Sequence, residues 1–371
     1  MHILLFFTYE ISLRSWISSG LFEREIKLYK YLNNLFGCRF TFITYDKEPI
    51  NLKEYDFIKI IPIYDLINYS NNKYLRFLKS LVIPFKLNKL VKNVDIIKTN
   101  QLNGSWIAII LKFLIKKPLL IRTGYDLYTF SIKEEKSFFT RIFYFLLTKF
   151  SIKFSNIYTV SSNTDRSFIN KKYKINKEIV VLPNWIEKKE HNIKFKKYKN
   201  RILSVGRLEK QKNYKFIIEE LKDSEIIIDI VGAGGEEVFL KELATANNVK
   251  VNFLGILPHN ELLKLYNNYK IFISASKYEG NPKAILEAMS SGCIVLAMKN
   301  ENIEEIINHN KNGIIFEENK TSLEEIIDNL LKNDELLNRI SYNASKEVLE
   351  KNSIESIVNL EFEIYNKLRD V

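Results

Sequence analysis

The chain has 371 residues, of which 46% are hydrophobic, a length and composition that suffice for two domains with packed cores. Its two cysteines, Cys38 and Cys293, both lie in apolar settings, which argues against a disulfide framework or a zinc cluster and agrees with a reducing compartment. The formal net charge is +12, but residues 1–190 contain 31 Lys and Arg against 16 Asp and Glu, whereas residues 191–371 contain 25 against 28.

Residues 1–186 alternate short apolar runs with amphipathic segments. The apolar residues 1–7 lack the basic flank and cleavage site of a signal peptide and are predicted to form a buried strand. No apolar run approaches the roughly 20 residues that span a bilayer. Further strands are predicted at 39–44, 57–63, 95–99, 119–122 and 157–160, and helices at 21–35 and 105–115. This alternation indicates a parallel, doubly wound α/β sheet.

Ligands of such sheets bind at the carboxyl ends of the strands. Two loops of the first domain therefore matter: residues 18–20, which precede the first helix, and residues 122–126, which follow a predicted strand. In the second loop, Arg122 and Asp126 are the nearest polar candidates. Asp126 either orients a hydroxyl of a substrate or simply caps a turn.

Two segments of the first domain, residues 66–94 and 136–164, contain no acidic residue. Each combines lysines and arginines with large apolar side chains at helical spacing, a combination that suits the surface of an anionic membrane. In the alternative interpretation the apolar faces pack on the sheet and the lysines are solvated. Biased base composition would also raise the lysine content, although it would not concentrate it in one half. No recognition motif accompanies the charge, so nucleic acid is not an expected partner.

A second domain is predicted at 201–352, after a polar, lysine-rich linker at 187–200, and the chain ends in a helix within 353–371. Strands are expected at 201–205, 226–231, 251–254, 271–273, 294–297 and 312–316, and helices at 236–247, 259–268 and 283–291. A glycine cluster at 232–235 follows one of these strands and precedes a helix. It is a plausible wall of a nucleotide pocket.

The most informative stretch is residues 278–289. Gly280, Asn281 and Pro282 predict a turn between a buried strand and a helix, which Gly292 ends. Such a helix start, at the carboxyl edge of a sheet, can bind a phosphate. The carboxylates of Glu279 and Glu287 bracket the turn and suit hydroxyl groups, such as those of a sugar or a ribose diol. Alternatively, both are solvated surface residues.

This stretch resembles the signature of the retaining glycosyltransferases of family 4, among the glycosyl transferases group 1. Residues 202–213, with Gly206, Arg207 and Lys212, resemble a second motif of that family, and the resemblance is specific from about residue 158 to 371. It implies that Arg207 and Lys212 bind the donor diphosphate, Glu279 the donor sugar and Glu287 the ribose. It also implies a donor site that includes Ser19, Gly20, Gly232, Gly255, Ile256, Gly280, Asn281, Pro282, Lys283 and Ala284.

The resemblance further implies the GT-B fold, with two Rossmann-like domains facing across a cleft and the last helix crossing back to the first domain. The expected activity is retaining transfer of a sugar from a UDP- or GDP-linked donor to a glycan or lipid-linked acceptor of a cell-surface polysaccharide. We expect no metal, because the sequence lacks an Asp-x-Asp motif, and a location at the cytoplasmic face of the inner membrane. The first domain lacks the histidine that many members carry. A 2-epimerase, a phosphorylase or an inactive sugar-nucleotide-binding scaffold is the alternative.

Overall fold

The computed structural model describes residues 1–50, 52, 54–187, 198–318, 320 and 322–370. They divide into two compact units, which we treat separately. Unit 1 comprises residues 1–183 together with 358–371, and unit 2 comprises residues 184–357. Most of the predicted linker, residues 188–197, lies outside the described residues.

Unit 1 is an α/β unit whose strands alternate with helices along the chain. Its strands are β1 His2–Phe6, β2 Arg39–Thr44, β3 Ile58–Pro62, β4 Ile96–Thr99, β5 Leu119–Arg122, β6 Ile157–Val160 and β7 Ile179–Val181. Its helices are α1 Leu13–Ser18, α2 Phe22–Phe36, α3 Lys73–Ser80, α4 Ile83–Asn88, α5 Ser105–Ile115, α6 Leu127–Lys133, α7 Phe138–Phe154 and α8 Asn163–Tyr173.

Unit 2 has the same alternation. Its strands are β8 Arg201–Val205, β9 Ile227–Val231, β10 Val251–Phe253, β11 Ile271–Ser274, β12 Ile294–Met298 and β13 Ile314–Phe316. Its helices are α9 Tyr214–Glu220, α10 Glu237–Ala246, α11 His259–Tyr266, α12 Lys283–Ser290, α13 Glu301–Ile306, α14 Leu323–Lys332 and α15 Asp334–Asn352. The last helix, α16 Ile354–Arg369, begins in unit 2 and belongs to unit 1 from Val358 onward.

The described strands form one parallel sheet in each unit. The order is β3-β2-β1-β4-β5-β6-β7 in unit 1 and β10-β9-β8-β11-β12-β13 in unit 2. In both sheets the first strand of the unit lies in the middle, and the chain first builds outward on one side and then crosses to the other. The strand order therefore reverses between β1 and β4 and between β8 and β11, and ligands of open α/β sheets bind at such a switch point.

Both faces of the unit 2 sheet are buried. Ile294 and Leu296 of β12 belong to one hydrophobic cluster, whereas Val295 and Ala297 belong to a cluster on the opposite face. Alternate residues of a strand point to opposite faces, so an uninterrupted apolar run is what a sheet covered by helices on both sides requires.

The predicted fold class, two doubly wound parallel sheets, is confirmed. The predicted bounds of β2, β5, β6, β8 and α5 match the structure, and most others differ by one to three residues. The elements that were not predicted include the edge strand β7 and the helices α1, α6, α8, α9 and α13. Ser18, predicted to lie in a loop, is the last residue of α1.

A buried ion pair attaches the end of the chain to the sheet of unit 1. The Lys98 ammonium on β4 contacts the Glu361 carboxylate on α16, and the Tyr365 hydroxyl donates a hydrogen bond to the same carboxylate. Burial lowers the pKa of Lys98 below its ordinary value although Glu361 opposes this shift. Burial alone would raise the pKa of Glu361, but Lys98 and Tyr365 outweigh it, and the pKa lies below its ordinary value.

We expect Lys98→Met to lower the free energy of unfolding by about 3–5 kcal/mol, because it leaves the Glu361 carboxylate buried without its cation. The double variant Lys98→Met/Glu361→Leu should lose less, because it removes both charges and fills the space with apolar atoms. Urea unfolding of both variants checks this. A double variant less stable than the single one would contradict it.

Candidate functional site

The two sequence motifs of unit 2 meet at the switch point of its sheet. Strands β8 and β11 are parallel neighbours, with Ile271 opposite Ile202 and Phe272 opposite Leu203. β8 leads into residues 206–208 and β11 into residues 275–282. Because the carboxyl ends of parallel neighbours lie at the same edge, these two loops are adjacent although almost 70 residues separate them in sequence.

Three glycine loops pack against each other at this edge. The Gly206 amide donates to the Val231 carbonyl at 2.9 Å, and the Gly232 amide donates to the Gly255 carbonyl at 2.8 Å. Gly232 has φ +143°, and a Cβ atom there would lie 2.0 Å from the Gly206 carbonyl oxygen. Only glycine fits at this position, which explains part of the cluster at 232–235. The carbonyl of Gly206 also accepts a hydrogen bond from the buried Tyr214 hydroxyl at 3.3 Å.

Lys212 and Glu279 form an ion pair at the switch point. Their side chains are 21% and 10% exposed, so the pair is partly shielded from water and still accessible. The backbone around the pair is fixed by hydrogen bonds between the two loops, with the Gln211 amide group donating to the Tyr278 carbonyl at 2.8 Å. The Asn302 amide group donates to the Glu279 carbonyl at 2.7 Å. The sequence predicted both charged residues for the donor site but not their mutual contact.

Arg207 has a different environment from Lys212. Its guanidinium is 69% exposed and lies 3.1 Å from the Glu209 carboxylate. An exposed pair of this kind contributes little to stability. Arg207 therefore remains available to an anionic ligand at small cost.

The start of α12 is positioned by contacts of residues 281–284. No side chain caps this terminus, where Pro282 occupies the N-cap position. Asn281 accepts a hydrogen bond from the Asn184 amide at 2.9 Å, and the Lys283 ammonium lies 5.1 Å from the centre of the Trp185 ring. An uncapped helix start presents backbone N–H groups and the positive end of the helix dipole.

Glu287 is a buried residue, which contradicts the alternative of a solvated surface carboxylate. Its Oε1 lies 3.0 Å from Nε2 of His259, and its Oε2 accepts a hydrogen bond from the Tyr266 hydroxyl at 3.4 Å. His259, the first residue of α11, was predicted only to start a helix. Its contact with Glu287 links residues 28 positions apart, and no sequence pattern signals it.

Gly255 and Ile256 lie in the loop between β10 and α11. Gly255 has φ +67°, and the Ile256 side chain is exposed. Gly280 is buried in the turn before α12, and the Ala284 carbonyl lies 3.4 Å from the Tyr266 hydroxyl. The predicted donor residues of unit 2 therefore surround the same edge of its sheet.

The predicted site residues of unit 1 lie in two places. Ser19 is the C-cap of α1, where its hydroxyl donates to the Ser15 carbonyl at 2.7 Å, and Gly20 follows with φ +70°. Asp126 caps α6: it accepts hydrogen bonds from the amide and hydroxyl of Thr129 at 2.9 and 2.7 Å and from the Tyr173 hydroxyl at 2.9 Å. This favours the capping alternative for Asp126.

A cavity of about 270 Å³ opens beside the second loop of unit 1. It is lined by Thr8 after β1, Gln101 and Asn103 after β4, and Thr123 and Tyr125 after β5. It therefore lies at the switch point of this sheet. The Tyr125 ring stacks on Phe130, with 4.0 Å between the ring centres.

Large apolar side chains of unit 1 point into solvent. On α3, α4 and the turn between them, Tyr74, Leu75, Leu78, Leu81, Val82 and Phe85 are exposed, and on α7 Phe138, Phe139, Ile142, Phe143, Leu146 and Phe150 are exposed. We call these twelve residues the apolar face. The two groups adjoin, because Phe77 contacts Phe143 with 6.0 Å between ring centres. These exposures contradict the alternative that the apolar faces pack on the sheet, except at Phe77, which is half-buried and contacts Trp106 with 5.2 Å between ring centres.

Among the residues that the structure describes, none of the helices is long and apolar enough to cross a membrane. In the same part of the chain, three or more His, Cys, Asp or Glu side chains do not come together as a metal site would require.

Each of the two units is Rossmann-like, with a doubly wound parallel sheet. Residues 186–347 match the model of the family Glycosyl transferases group 1. This match agrees with the resemblance to glycosyl transferases group 1 that the sequence shows over these residues.

Known proteins similar to the chain agree with this match. An uncharacterized glycosyltransferase of Haemophilus influenzae is 29% identical to this chain, and the aligned region covers 53% of this chain and 57% of that relative. The UDP-Gal:alpha-D-GlcNAc-diphosphoundecaprenol alpha-1,3-galactosyltransferase of Escherichia coli is 27% identical over 75% of this chain and 76% of its own. The crystal structure of HepE from Anabaena in complex with UDP superimposes with a TM-score of 0.74 at 18% identity, covering 99% of this chain and 100% of that one, which confirms the fold.

We expect Gly232→Ala to destabilise the protein by more than about 1 kcal/mol, because the new methyl group would clash with the Gly206 carbonyl at a strained φ. Gly235→Ala is the matched control, since a Cβ there meets no atom within 4 Å. Thermal unfolding of both variants provides the comparison. Equal effects of the two substitutions would show that the glycine loops are not closely packed.

Proposed function

We propose that the protein is a glycosyltransferase that moves a sugar from a nucleotide-diphosphate sugar to a glycan or lipid-linked acceptor of a cell-surface polysaccharide. The observation that carries the proposal is the Lys212–Glu279 ion pair at the switch point of unit 2, beside the glycine loops and the uncapped start of α12. The family match of residues 186–347 supports it.

The donor diphosphate binds through Lys212, Arg207 and the start of α12. The helix terminus contributes the equivalent of about half a positive charge. In the structure the Lys212 ammonium is occupied by the Glu279 carboxylate. A diphosphate has more charge than a carboxylate, so it displaces Glu279 from the ammonium and leaves this carboxylate to accept hydrogen bonds from hydroxyls of the donor sugar.

In the transfer step negative charge grows on the departing diphosphate. Fixed cations and helix dipoles at that position lower the barrier because they need no rearrangement as the charge develops. Lys212 and Arg207 supply the charge that a metal ion provides in transferases with an Asp-x-Asp motif. For this reason the proposal includes independence from metal, and it includes retention at the anomeric carbon because the motif at 278–289 resembles retaining enzymes.

The donor is UDP-linked in this proposal, with GDP as the alternative base. The Anabaena structure contains UDP, and the E. coli relative is named for a UDP-Gal donor. Glu287 accepts hydrogen bonds from the ribose hydroxyls, and backbone groups near Gly255 and Ile256 contact the base.

The acceptor binds in unit 1, at the cavity beside residues 122–126. Its lining combines the aromatic ring of Tyr125, on which a sugar ring can stack, with the polar side chains of Gln101, Asn103 and Thr123. The E. coli relative is named for a lipid-linked diphosphate acceptor. An amphiphilic acceptor of this kind also suits the apolar face.

Unit 1 contacts an anionic membrane through segments 66–94 and 136–164, at the cytoplasmic face of the inner membrane. The apolar face includes aromatic residues that are largely exposed, among them Phe139 at 82%. Exposed lysines lie in the same segments, including Lys73, Lys86, Lys149 and Lys153. Apolar side chains that enter the headgroup region together with cations attracted to anionic lipid make a reversible membrane anchor.

We expect Lys212→Ala to lower the turnover of the sugar donor about 100-fold or more, because it removes one of the cations on the departing diphosphate. Lys215→Ala is the matched control, since Lys215 forms only an exposed pair with Glu219 on the same surface of α9. Calorimetry with UDP and GDP, without added metal, measures the accompanying loss of nucleotide affinity. Full activity of Lys212→Ala would refute the diphosphate role.

The same assay separates the alternative activities. Release of free nucleotide diphosphate only when an acceptor is present supports transfer. A 2-epimerase would release it or isomerise the donor without an acceptor, a phosphorylase would require phosphate, and an inactive scaffold would bind the nucleotide sugar without turnover.

We expect the protein to bind vesicles that contain phosphatidylglycerol and to bind them less at high salt. Phe138→Ser/Phe139→Ser should weaken this binding, because it removes two exposed rings of the apolar face. Val238→Ser/Phe239→Ser, an exposed apolar pair on α10 of unit 2, is the control. Co-sedimentation measures binding. Equal binding of both variants would contradict the membrane role of the apolar face.

A further inference from the structure

The Glu287 carboxylate is held from two sides by α11. His259 lies at the first position of this helix, and its side chain is only 6% exposed. Its Nε2 is 3.0 Å from Oε1 of Glu287. Seven residues later on the same helix, the Tyr266 hydroxyl donates to Oε2 at 3.4 Å.

These contacts fix the orientation of a buried carboxylate. His259 contacts one of its oxygens and Tyr266 contacts the other. The two neighbouring hydroxyl groups of a diol are spaced so that each can donate a hydrogen bond to one oxygen of the same carboxylate.

The other ring nitrogen of His259 faces an acidic group as well. Its Nδ1 lies 3.9 Å from the Glu187 carboxylate, beyond hydrogen-bond distance. The close contact of the imidazole is therefore with Glu287. With a proton on Nε2, the imidazole donates a hydrogen bond to Glu287 in this contact.

We propose that His259 is a positioning residue for the nucleotide: it orients Glu287 so that the carboxylate accepts hydrogen bonds from both ribose hydroxyls of the donor. This inference rests on the proposed function, which assigns Glu287 to the ribose. It extends that function to α11, since the helix that follows the base-contacting loop at Gly255 and Ile256 also fixes the ribose contact. Binding of the base and binding of the ribose are thereby coupled through one short helix.

The test compares affinities for UDP and 2′,3′-dideoxy-UDP by calorimetry on the full chain. The wild-type protein should prefer UDP by about 10- to 100-fold, the range expected for hydrogen bonds to a charged group. His259→Leu should reduce this preference to about threefold or less and leave the affinity for the dideoxy compound nearly unchanged. If the protein binds GDP more tightly than UDP, the same comparison is made with GDP and 2′,3′-dideoxy-GDP.

Two amide substitutions make the test specific for the Nε2 contact. His259→Gln places an N–H near the position of Nε2 and should retain most of the preference, whereas His259→Asn is too short to reach Glu287 and should lose it. The Gln and Asn variants also test the positioning role of His259 if His259→Leu does not fold. Lys264→Leu, at an exposed position of the same helix, is the matched control and should behave as the wild type.

Each outcome has a distinct meaning. A wild-type protein that binds both nucleotides equally would refute the ribose role of Glu287, and with it that part of the proposed function. A wild-type preference that survives in His259→Leu, or is equal in the Gln and Asn variants, would overturn only the role of His259. If His259→Leu lost affinity equally for both nucleotides, His259 would have only a structural role.

Discussion

The pairing of β8 with β11 is the constraint on which the candidate site depends. The two strands lie side by side in one sheet but are separated by two βα units of the chain. Their neighbouring carboxyl ends bring Lys212 to Glu279 and the glycine loops to the start of α12. A change in strand order would separate these groups however well each loop kept its own conformation, because the hydrogen bonds between the loops, such as that from Gln211 to the Tyr278 carbonyl, form only when the two strands are neighbours.

Much of the fold could be predicted from local patterns. β5 and α5 were placed correctly because each is a continuous apolar run or face with breaks at both ends. Helix α1 was missed although its start has a local cap, since the Ser12 side chain accepts a hydrogen bond from the Ser15 amide at 3.0 Å. With only six residues, the helix is too short to show a clear apolar periodicity. Its first turn is also held by the Asp46 carboxylate, which follows β2 and accepts hydrogen bonds from the Leu13 and Arg14 amides at 2.9 and 3.1 Å, and a contact this distant in sequence leaves no local signal.

The sequence motifs identified Lys212, Glu279 and Glu287 as candidate site residues but did not predict their contacts. The motif residues could be identified because turns, glycines and charges recur at short spacings. The partners of Glu287 and Glu279 could not, because His259 and Lys212 reach them through the tertiary fold. Likewise, the helical spacing of residues 138–150 predicted an apolar face, but spacing alone does not specify whether a face meets the sheet or solvent.

The distribution of side chains in unit 1 inverts the usual pattern, and the inversion itself is informative. A fully buried lysine and glutamate, Lys98 and Glu361, join α16 to the sheet, while the aromatic rings of Phe138 and Phe139 lie in solvent. Each feature alone costs stability, since buried charges lose hydration and exposed rings gain no packing. The ion pair restricts where α16 can dock, because any other position leaves two charges buried without partners. The exposed rings offer no such benefit within the unit, and this contrast is the reason that we propose a membrane contact for the apolar face.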